Sequence, residues 1–270
     1  RQVAHEYGHH VRGNRVTVRT WGQLALKEGL TVLTAQNDFR RHMFGPSARV
    51  LDVLDLRRLQ FPEEVTIGAP VVRGEVSDPT SLYTRTTYLK GAEIFGMMRT
   101  LVGGERWREA MVQFTAAHDL GAAGVDDFVD VVRRVAPEHA DTLAGVARWF
   151  TTAGRPSLSI EHTGDRLVIR RTDALADEPP LAMPVVVGFL DAAGDRCEVS
   201  VDGGPVASEH VLVLDTRHRE CVLSAPVAVV APLLRYSSPV DLVTDHSNEA
   251  LGLLVRRDTD SFVRWWAAQE

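Results

Sequence analysis

The spacing of apolar residues divides the chain into a helical first part and an alternating second part. Up to about residue 155, apolar side chains recur every three or four positions, which is typical of helices with one buried face. The segment 61–81 interrupts this pattern, and its Pro, Gly and Val content predicts an irregular loop. The predicted helices cover residues 21–39, 88–101, 105–118, 125–135 and 144–152.

From Leu158 onward, apolar and polar residues alternate in short runs, separated by turns such as Thr163-Gly164-Asp165. This pattern predicts a small Ig-like β-sandwich. After Pro239 the spacing becomes helical again, with Ser247 as a candidate N-cap. We therefore predict an α+β multidomain chain in three parts, at 1–155, 156–240 and 241–270. The last would begin a further helical domain, with Trp265 and Trp266 left partly exposed.

Composition narrows the possible functions without choosing one. The 270 residues are 44% hydrophobic, which is enough for more than one buried core. No apolar run reaches the 18 or more residues of a membrane span, and a net charge of −6 gives no reason to expect nucleic-acid binding. Cys197 and Cys221 lie in β-like segments, and we expect both to be reduced.

The most specific chemical signal is His5-Glu6-Tyr7-Gly8-His9. Positions four apart share one face of a helix, so His5 and His9 can direct their imidazoles to one metal ion. Glu6 lies beside that pair, where a general base for hydrolysis is needed. Two neutral nitrogen ligands and one carboxylate base are the arrangement of a zinc peptidase. The pattern alone also arises by chance, so a further ligand is required.

Glu28 is the candidate third ligand. It follows His9 after eighteen intervening residues, a gap that suits a helix, a break at Gly13-Asn14 and a second helix returning to the metal. A third histidine is not expected, because Arg12 and Arg15 stand where the metzincin pattern has Gly and His. His10 lies about 140° around the helix from His5 and points away from the site.

Two separated groups of residues carry a resemblance to a known family. The first group is His5 to His9, Gly13 to Thr17, Trp21 and Leu26 to Val32; the second is Leu82-Tyr83-Thr84 and Tyr88 to Glu93. Together they resemble the gluzincin zinc aminopeptidases, in particular their bacterial aminopeptidase N branch. The resemblance covers nearly the whole chain and implies that residues 1–155 are the C-terminal part of a thermolysin-like peptidase domain.

The resemblance also implies roles for individual residues. His5, His9 and Glu28 would bind one Zn²⁺, and Glu6 would act as the general base. Tyr88 would hydrogen-bond the oxyanion, and Tyr83 would line the substrate site. The substrates would be peptides with a free N-terminus.

The family's upstream Gly-Ala-Met-Glu-Asn segment, which captures the substrate amine, does not occur near the start of this chain. We therefore expect the chain to be an internal fragment that is poorly active or inactive alone. The resemblance further favours a cytoplasmic protein that is monomeric at full length. Two alternatives stay open, namely an epoxide hydrolase on the same scaffold and a non-catalytic zincin-like interaction protein.

Lysine usage adds one further prediction. Lys27 and Lys90 are the only lysines in the chain, and each lies inside one of the two matched groups. Lys gives a compact point charge where Arg gives a planar fork, so these two positions favour an ammonium near the site. Lys27 is a candidate substrate-binding residue. Coincidence and a helix-surface role are the alternatives.

Overall fold

Helices form most of the first part of the chain, as the apolar spacing predicts. The structure is a computed structural model that describes residues 2–74, 76–172 and 181–270. The chain forms two units, Arg1–Gly154 and Arg155–Glu270. The helices of the first unit are α1 (Gln2–Gly8), α2 (Leu24–Thr31), α3 (Asp38–Phe44), α4 (Ala48–Asp55), α5 (Phe61–Ile67), α6 (Gly91–His118), α7 (Val125–Val135) and α8 (Ala140–Ala147).

Three wider π-helical stretches join or extend these helices. Val32–Asn37 connects α2 to α3, and Leu56–Gln60 connects α4 to α5. The third, Thr86–Lys90, leads directly into α6 and contains Tyr88. A π-helical turn shifts the register of the side chains that follow it, and such turns occur frequently at functional sites.

The prediction of an irregular loop over 61–81 is wrong for its first seven residues, which form α5. Pro62 stands in the first turn, where its fixed φ favours a helix, and Glu63 and Glu64 follow it there. The helix ends at Gly68, whose φ of 60° is left-handed. The Pro and Gly content that suggested a loop therefore marks the two ends of a helix.

Aromatic side chains form the centre of the first unit. Phe128 on α7 is fully buried and meets Phe95, Trp107 and Phe114 of α6 edge to face, at ring separations of 5.4, 5.4 and 5.1 Å. These ring contacts hold α7 against α6. Helix α6 is interrupted at Gly103, whose φ is 79°.

A short parallel strand pair was not predicted from the sequence. Strand β1 (Val16–Val18) follows the loop after α1, and it pairs with β2 (Gly121–Ala123) between α6 and α7. Arg15 and Arg19 form ion pairs with Asp119 and Asp127 on either side of this ladder. The segment that follows the two histidines is thus tied to residues far away in sequence.

The second unit contains the alternating segments as strands. Its strands are β3 (Ser157–Thr163), β4 (Arg166–Arg171), β5 (Met183–Leu190), β6 (Val199–Ser200), β7 (Val206–Ala207), β8 (Glu209–Leu214), β9 (His218–Val222), β10 (Val229–Ala231) and β11 (Asp241–Thr244). They form a β11-β3-β4-β9 sheet, a β10-β5-β8 sheet and a β6-β7 pair. Helical and sheet regions together confirm the α+β multidomain class.

Helices return after Pro239, as the apolar spacing predicts, but a strand that was not predicted comes first. Residues 241–244 form β11, which pairs in parallel with β3, and the helices α9 (Asn248–Arg257) and α10 (Ser261–Ala267) begin later. Ser247 caps α9 as predicted, because its side chain accepts a hydrogen bond from the Ala250 N–H. The division into domains at 155 and 240 stays a prediction.

Trp266 was expected to be partly exposed, but it is only 2% exposed and its ring contacts His246. Trp265 is half-buried. Cys197 and Cys221 are free thiols. Among the helices of the described residues, none combines the length and the apolar character needed to cross a bilayer.

Candidate metal centre

The two histidines meet where α1 ends. His5 lies within the helix, and His9 lies in the turn that follows it, with its N–H donating to the carbonyl of His5 at 3.3 Å. The two Nε2 atoms are 3.0 Å apart. Gly8 permits this helix to lie close to its neighbour, since a Cβ at this position would be 2.5 Å from the Cβ of Ala35.

Glu28 brings its carboxylate to the same point from α2. Its Oε2 atom lies 3.1 Å from Nε2 of both His5 and His9, and the residue is 2% exposed. In tetrahedral zinc sites, bonds of 2.0–2.1 Å place neighbouring ligand atoms about 3.3 Å apart. The donor set and its spacing therefore fit Zn²⁺. Among the described residues, no other group of three His, Cys, Asp or Glu side chains converges in this way.

Hydrogen bonds and neighbouring charges determine the protonation of His9 and Glu28. His9 Nδ1 lies 2.8 Å from the Arg12 carbonyl and donates to it, so Nε2 is the nitrogen that faces Glu28 and binds a metal once its proton is released. Burial opposes ionisation of Glu28, but hydrogen bonds from His5 and His9 outweigh it and lower the pKa of Glu28 to about 2. Burial likewise opposes charging of His9, yet Glu28 and the Arg12 carbonyl raise the His9 pKa.

Tyr88 lies beside His5 and Glu28. The two rings are nearly parallel, with centroids 5.9 Å apart. Burial raises the pKa of the Tyr88 phenol. The negative charge of Glu28 and the hydrogen bond between Tyr88 and Glu28 raise this pKa further, and Tyr83 and Glu6 contribute less. The phenol therefore stays protonated and is available as a hydrogen-bond donor.

A close crossing of α2 and α6 fixes the distance between Glu28 and the turn carrying Tyr88. A Cβ at Gly29 would lie 2.9 Å from the carbonyl carbon of Gly91, so the two backbones are in direct contact. Gly29 follows Glu28, and Gly91 comes three residues after Tyr88. The absence of a side chain at Gly29 is thus required for this arrangement.

The remaining predicted site residues take different positions. Glu6 is exposed at the side of α1, and Tyr83 is 53% exposed. Lys27 places its Nζ 3.5 Å from Oε1 of Glu28, while its methylene chain occupies the space beside Gly13, where φ is 128°. Lys27 thus contacts a metal-binding candidate and supports the loop after α1. The substrate-binding roles of Lys27 and Tyr83 stay predictions.

Sequence reasoning did not find the residues behind Tyr88. Gln60, Glu63 and Glu64 all contact the segment that carries it. Glu63 and Glu64 belong to the region 61–81 that was expected to be a loop, and Gln60 directly precedes it. A usable signal was present in Phe61-Pro62-Glu63-Glu64, because Pro followed by acidic residues is a common helix start.

Comparison with known proteins agrees with this geometry. Residues 1–149 match the peptidase family M1 domain. Aminopeptidase N of Escherichia coli (strain K12) is 33% identical over 288 residues, covering 100% of this chain and 32% of that protein. Aminopeptidase N of Haemophilus influenzae is also 33% identical, and the match covers 99% of this chain and 32% of that protein.

A solved structure shows the same fold. Aminopeptidase A of Legionella pneumophila, crystallised in complex with aspartic acid, matches with a TM-score of 0.78 at 27% sequence identity. The match covers 99% of this chain and 29% of that one. The chain therefore spans about a third of the length of the relatives that it matches.

Proposed function

The chain belongs to the peptidase M1 family, and from that premise we propose that it carries the zinc centre of an aminopeptidase. The proposed reaction is hydrolysis of the peptide bond that follows a free N-terminal residue. The observation that carries the proposal is the convergence of His5 Nε2, His9 Nε2 and Glu28 Oε2 within 3.0–3.1 Å of one another. The aminopeptidase names of its relatives support the reaction class.

In this proposal, His5, His9 and Glu28 hold the zinc ion. When bound, zinc acidifies a water molecule and polarises a substrate carbonyl. Glu6 takes the proton from the attacking water and passes it to the leaving amine, for which its exposed carboxylate beside His5 is suited. Tyr88 donates its O–H to the carbonyl oxygen as negative charge develops there.

The test uses the full-length natural protein with two substrates, an alanyl anilide and the same anilide with its amine acetylated. Cleavage of the free-amine form alone supports an aminopeptidase. Cleavage of both points to an endopeptidase-like site. Cleavage of neither, with zinc bound, favours a non-catalytic protein and contradicts the proposal.

The variant Glu6→Gln separates catalysis from metal binding. We expect it to retain zinc, as measured by metal analysis, and to lose about 10²- to 10⁴-fold in kcat, the usual contribution of a general base. Glu105→Gln is the matched control, since Glu105 is an exposed glutamate on α6. Loss of zinc from Glu6→Gln, or equal kcat in both variants, would contradict the assigned role.

A further inference from the structure

The turn that carries Tyr88, Thr86–Lys90, is held from behind by α5, a helix with no ligand in the metal centre. Lys90 is 1% exposed, although it carries a charge. Its Nζ donates to Oε1 of Glu64 at 2.6 Å and to the carbonyl of Gly154 at 2.7 Å. These acceptors fix the C-terminal end of the turn. If Lys90 moved away from them, its buried positive charge would lose the groups that stabilise it.

Glu63 fixes the other end of the same turn. Its two carboxylate oxygens accept hydrogen bonds from the backbone N–H groups of Arg85 at 2.9 Å and Thr86 at 2.7 Å. The Thr86 hydroxyl donates to the same carboxylate at 2.9 Å. The first N–H groups of a helix have no hydrogen-bond partner within the helix, so they need acceptors from outside it. A carboxylate at this end is also stabilised by the positive end of the helix dipole. Glu63 thus caps the turn from a neighbouring helix.

Tyr88 lies between these two attachments. Side chains two positions apart leave nearly opposite sides of the turn, in a π-helical turn as in an α-helix. Lys90 points to α5, while Tyr88 points to His5 at a ring separation of 5.9 Å. Attachment on the α5 side therefore determines where the phenol oxygen lies on the other side.

We propose that Glu63 and Glu64 form a carboxylate clamp, defined as these two adjacent residues of α5, which positions Tyr88 for catalysis. The clamp rests on the proposed function, since it gives these residues a role in the reaction through Tyr88. Both glutamates contact the turn itself, at Arg85, Thr86 and Lys90. They are positioning residues, and displacement of a catalytic group by about 1 Å can cost on the order of 10²-fold in rate.

The test is a double-mutant cycle in the full-length natural protein with zinc bound. Glu63→Gln keeps the volume of the side chain but removes its charge and one acceptor oxygen. We expect kcat to fall on the order of 10- to 100-fold with little change in KM. In the Tyr88→Phe background, Glu63→Gln should have little further effect, because the group that it positions is gone.

Two results would overturn the clamp. In one, the effects of Glu63→Gln and Tyr88→Phe on kcat multiply, which shows that Glu63 acts independently of Tyr88. In the other, Glu63→Gln leaves kcat unchanged, as we expect for the control Glu105→Gln. Lys90→Met is unsuitable for this cycle because it would leave the buried Glu64 carboxylate without its ammonium partner.

A second measurement does not depend on activity. A 3-fluorotyrosine introduced only at position 88 reports the surroundings of the ring by ¹⁹F NMR. We expect one sharp signal in the parent protein, a shifted and broadened signal with Glu63→Gln, and no change with Glu105→Gln. If the parent protein is inactive, the proposed function is contradicted, but the NMR signal still tests the clamp. An unchanged signal with Glu63→Gln would overturn the clamp.

Discussion

Single hydrogen bonds determine which imidazole nitrogen is free to bind a metal. His9 donates its Nδ1–H to the Arg12 carbonyl, which directs its Nε2 lone pair to the point shared with Glu28. For His5, the described residues provide no hydrogen-bond partner for Nδ1. Its ring orientation therefore depends on the contact of Nε2 with Glu28 and on packing, including the nearly parallel contact with Tyr88. The two histidines are ligand candidates with different degrees of preorganisation.

Another single residue, His246, is expected to make the stability of the second unit depend on pH. Burial lowers the pKa of His246, and its Nε2 donates to the Val230 carbonyl at 2.8 Å. The unfolded chain, with an ordinary pKa near 6.5, takes up a proton that the folded protein resists, so stability is lost as pH falls below about 6.5. We expect the free energy of unfolding to decrease between pH 7.5 and 5.5.

His246→Gln tests this dependence, because its amide nitrogen can still donate to Val230 but does not titrate. Urea unfolding at both pH values, followed by tryptophan fluorescence, should show a smaller decrease for the variant than for the parent chain. An equal decrease in the two proteins would mean that other groups cause the pH dependence.

At the scale of elements, the crossing of α2 and α6 predicts a strong effect of Gly29→Ala. The new Cβ would approach the backbone of Gly91 to 2.9 Å, and backbone cannot move aside as a flexible side chain can. We expect the free energy of unfolding to fall by about 1–3 kcal/mol, the usual cost of overpacking. Zinc affinity should fall as well, because the shift would move Glu28. Chemical unfolding and zinc titration measure the two effects.

The matched control is Gly104→Ala. Gly104 also lies on α6, but a Cβ there would meet no atom within 4 Å. Ala at this position should leave zinc affinity unchanged and change the free energy of unfolding by no more than about 0.5 kcal/mol, because Gly104 is exposed and follows the interruption at Gly103. Equal effects of the two substitutions on zinc affinity would show that the crossing does not position Glu28.

Elements set by nearby residues could be predicted from the sequence. The helix predicted at 125–135 is confirmed with both bounds, because its apolar face and its acidic first turn lie within the segment itself. The four-residue spacing of His5 and His9 likewise places them together by local geometry alone. The extent of α5 was missed because Pro62 and Gly68 mark helix ends as well as loops.

Contacts between distant segments could not be predicted in this way. No local pattern relates Val16 to Gly121, and the hydrogen bonds from Arg85 and Thr86 to Glu63 depend on the packing of α5. The resemblance to known aminopeptidases supplied Tyr88, but nothing in its surrounding sequence indicates what holds it. These contacts are determined by tertiary packing, and the residue types of the segments do not specify them.

At the scale of the whole molecule, zinc should stabilise the first unit selectively. A ligand that binds only the folded state adds about 2.7 kcal/mol when its concentration is 100 times Kd. His5, His9 and Glu28 all belong to Arg1–Gly154, and the described residues of Arg155–Glu270 contain no comparable group. We expect added zinc to slow amide hydrogen exchange across α1 and α2 and to leave β3–β4 unchanged.

Removal of zinc with a chelator should reverse this protection, as measured by mass spectrometry. Glu28→Gln provides the control, since it retains a similar side chain without the carboxylate charge and should show a much smaller response. Equal protection of both units by zinc would contradict a single metal centre in the first one.

The ladder between β1 and β2 has a consequence for how the protein is made. All three candidate ligands are present once residue 28 has been synthesised, but β1 cannot pair until residues 121–123 exist. Closing a loop of roughly a hundred residues costs about 4 kcal/mol of chain entropy, so this pairing forms late. A nascent chain on the ribosome would therefore carry its ligands for several seconds, at roughly 5–20 residues per second, before the segment beside them is fixed. Metal capture is thus expected to follow release of the whole first unit from the exit tunnel.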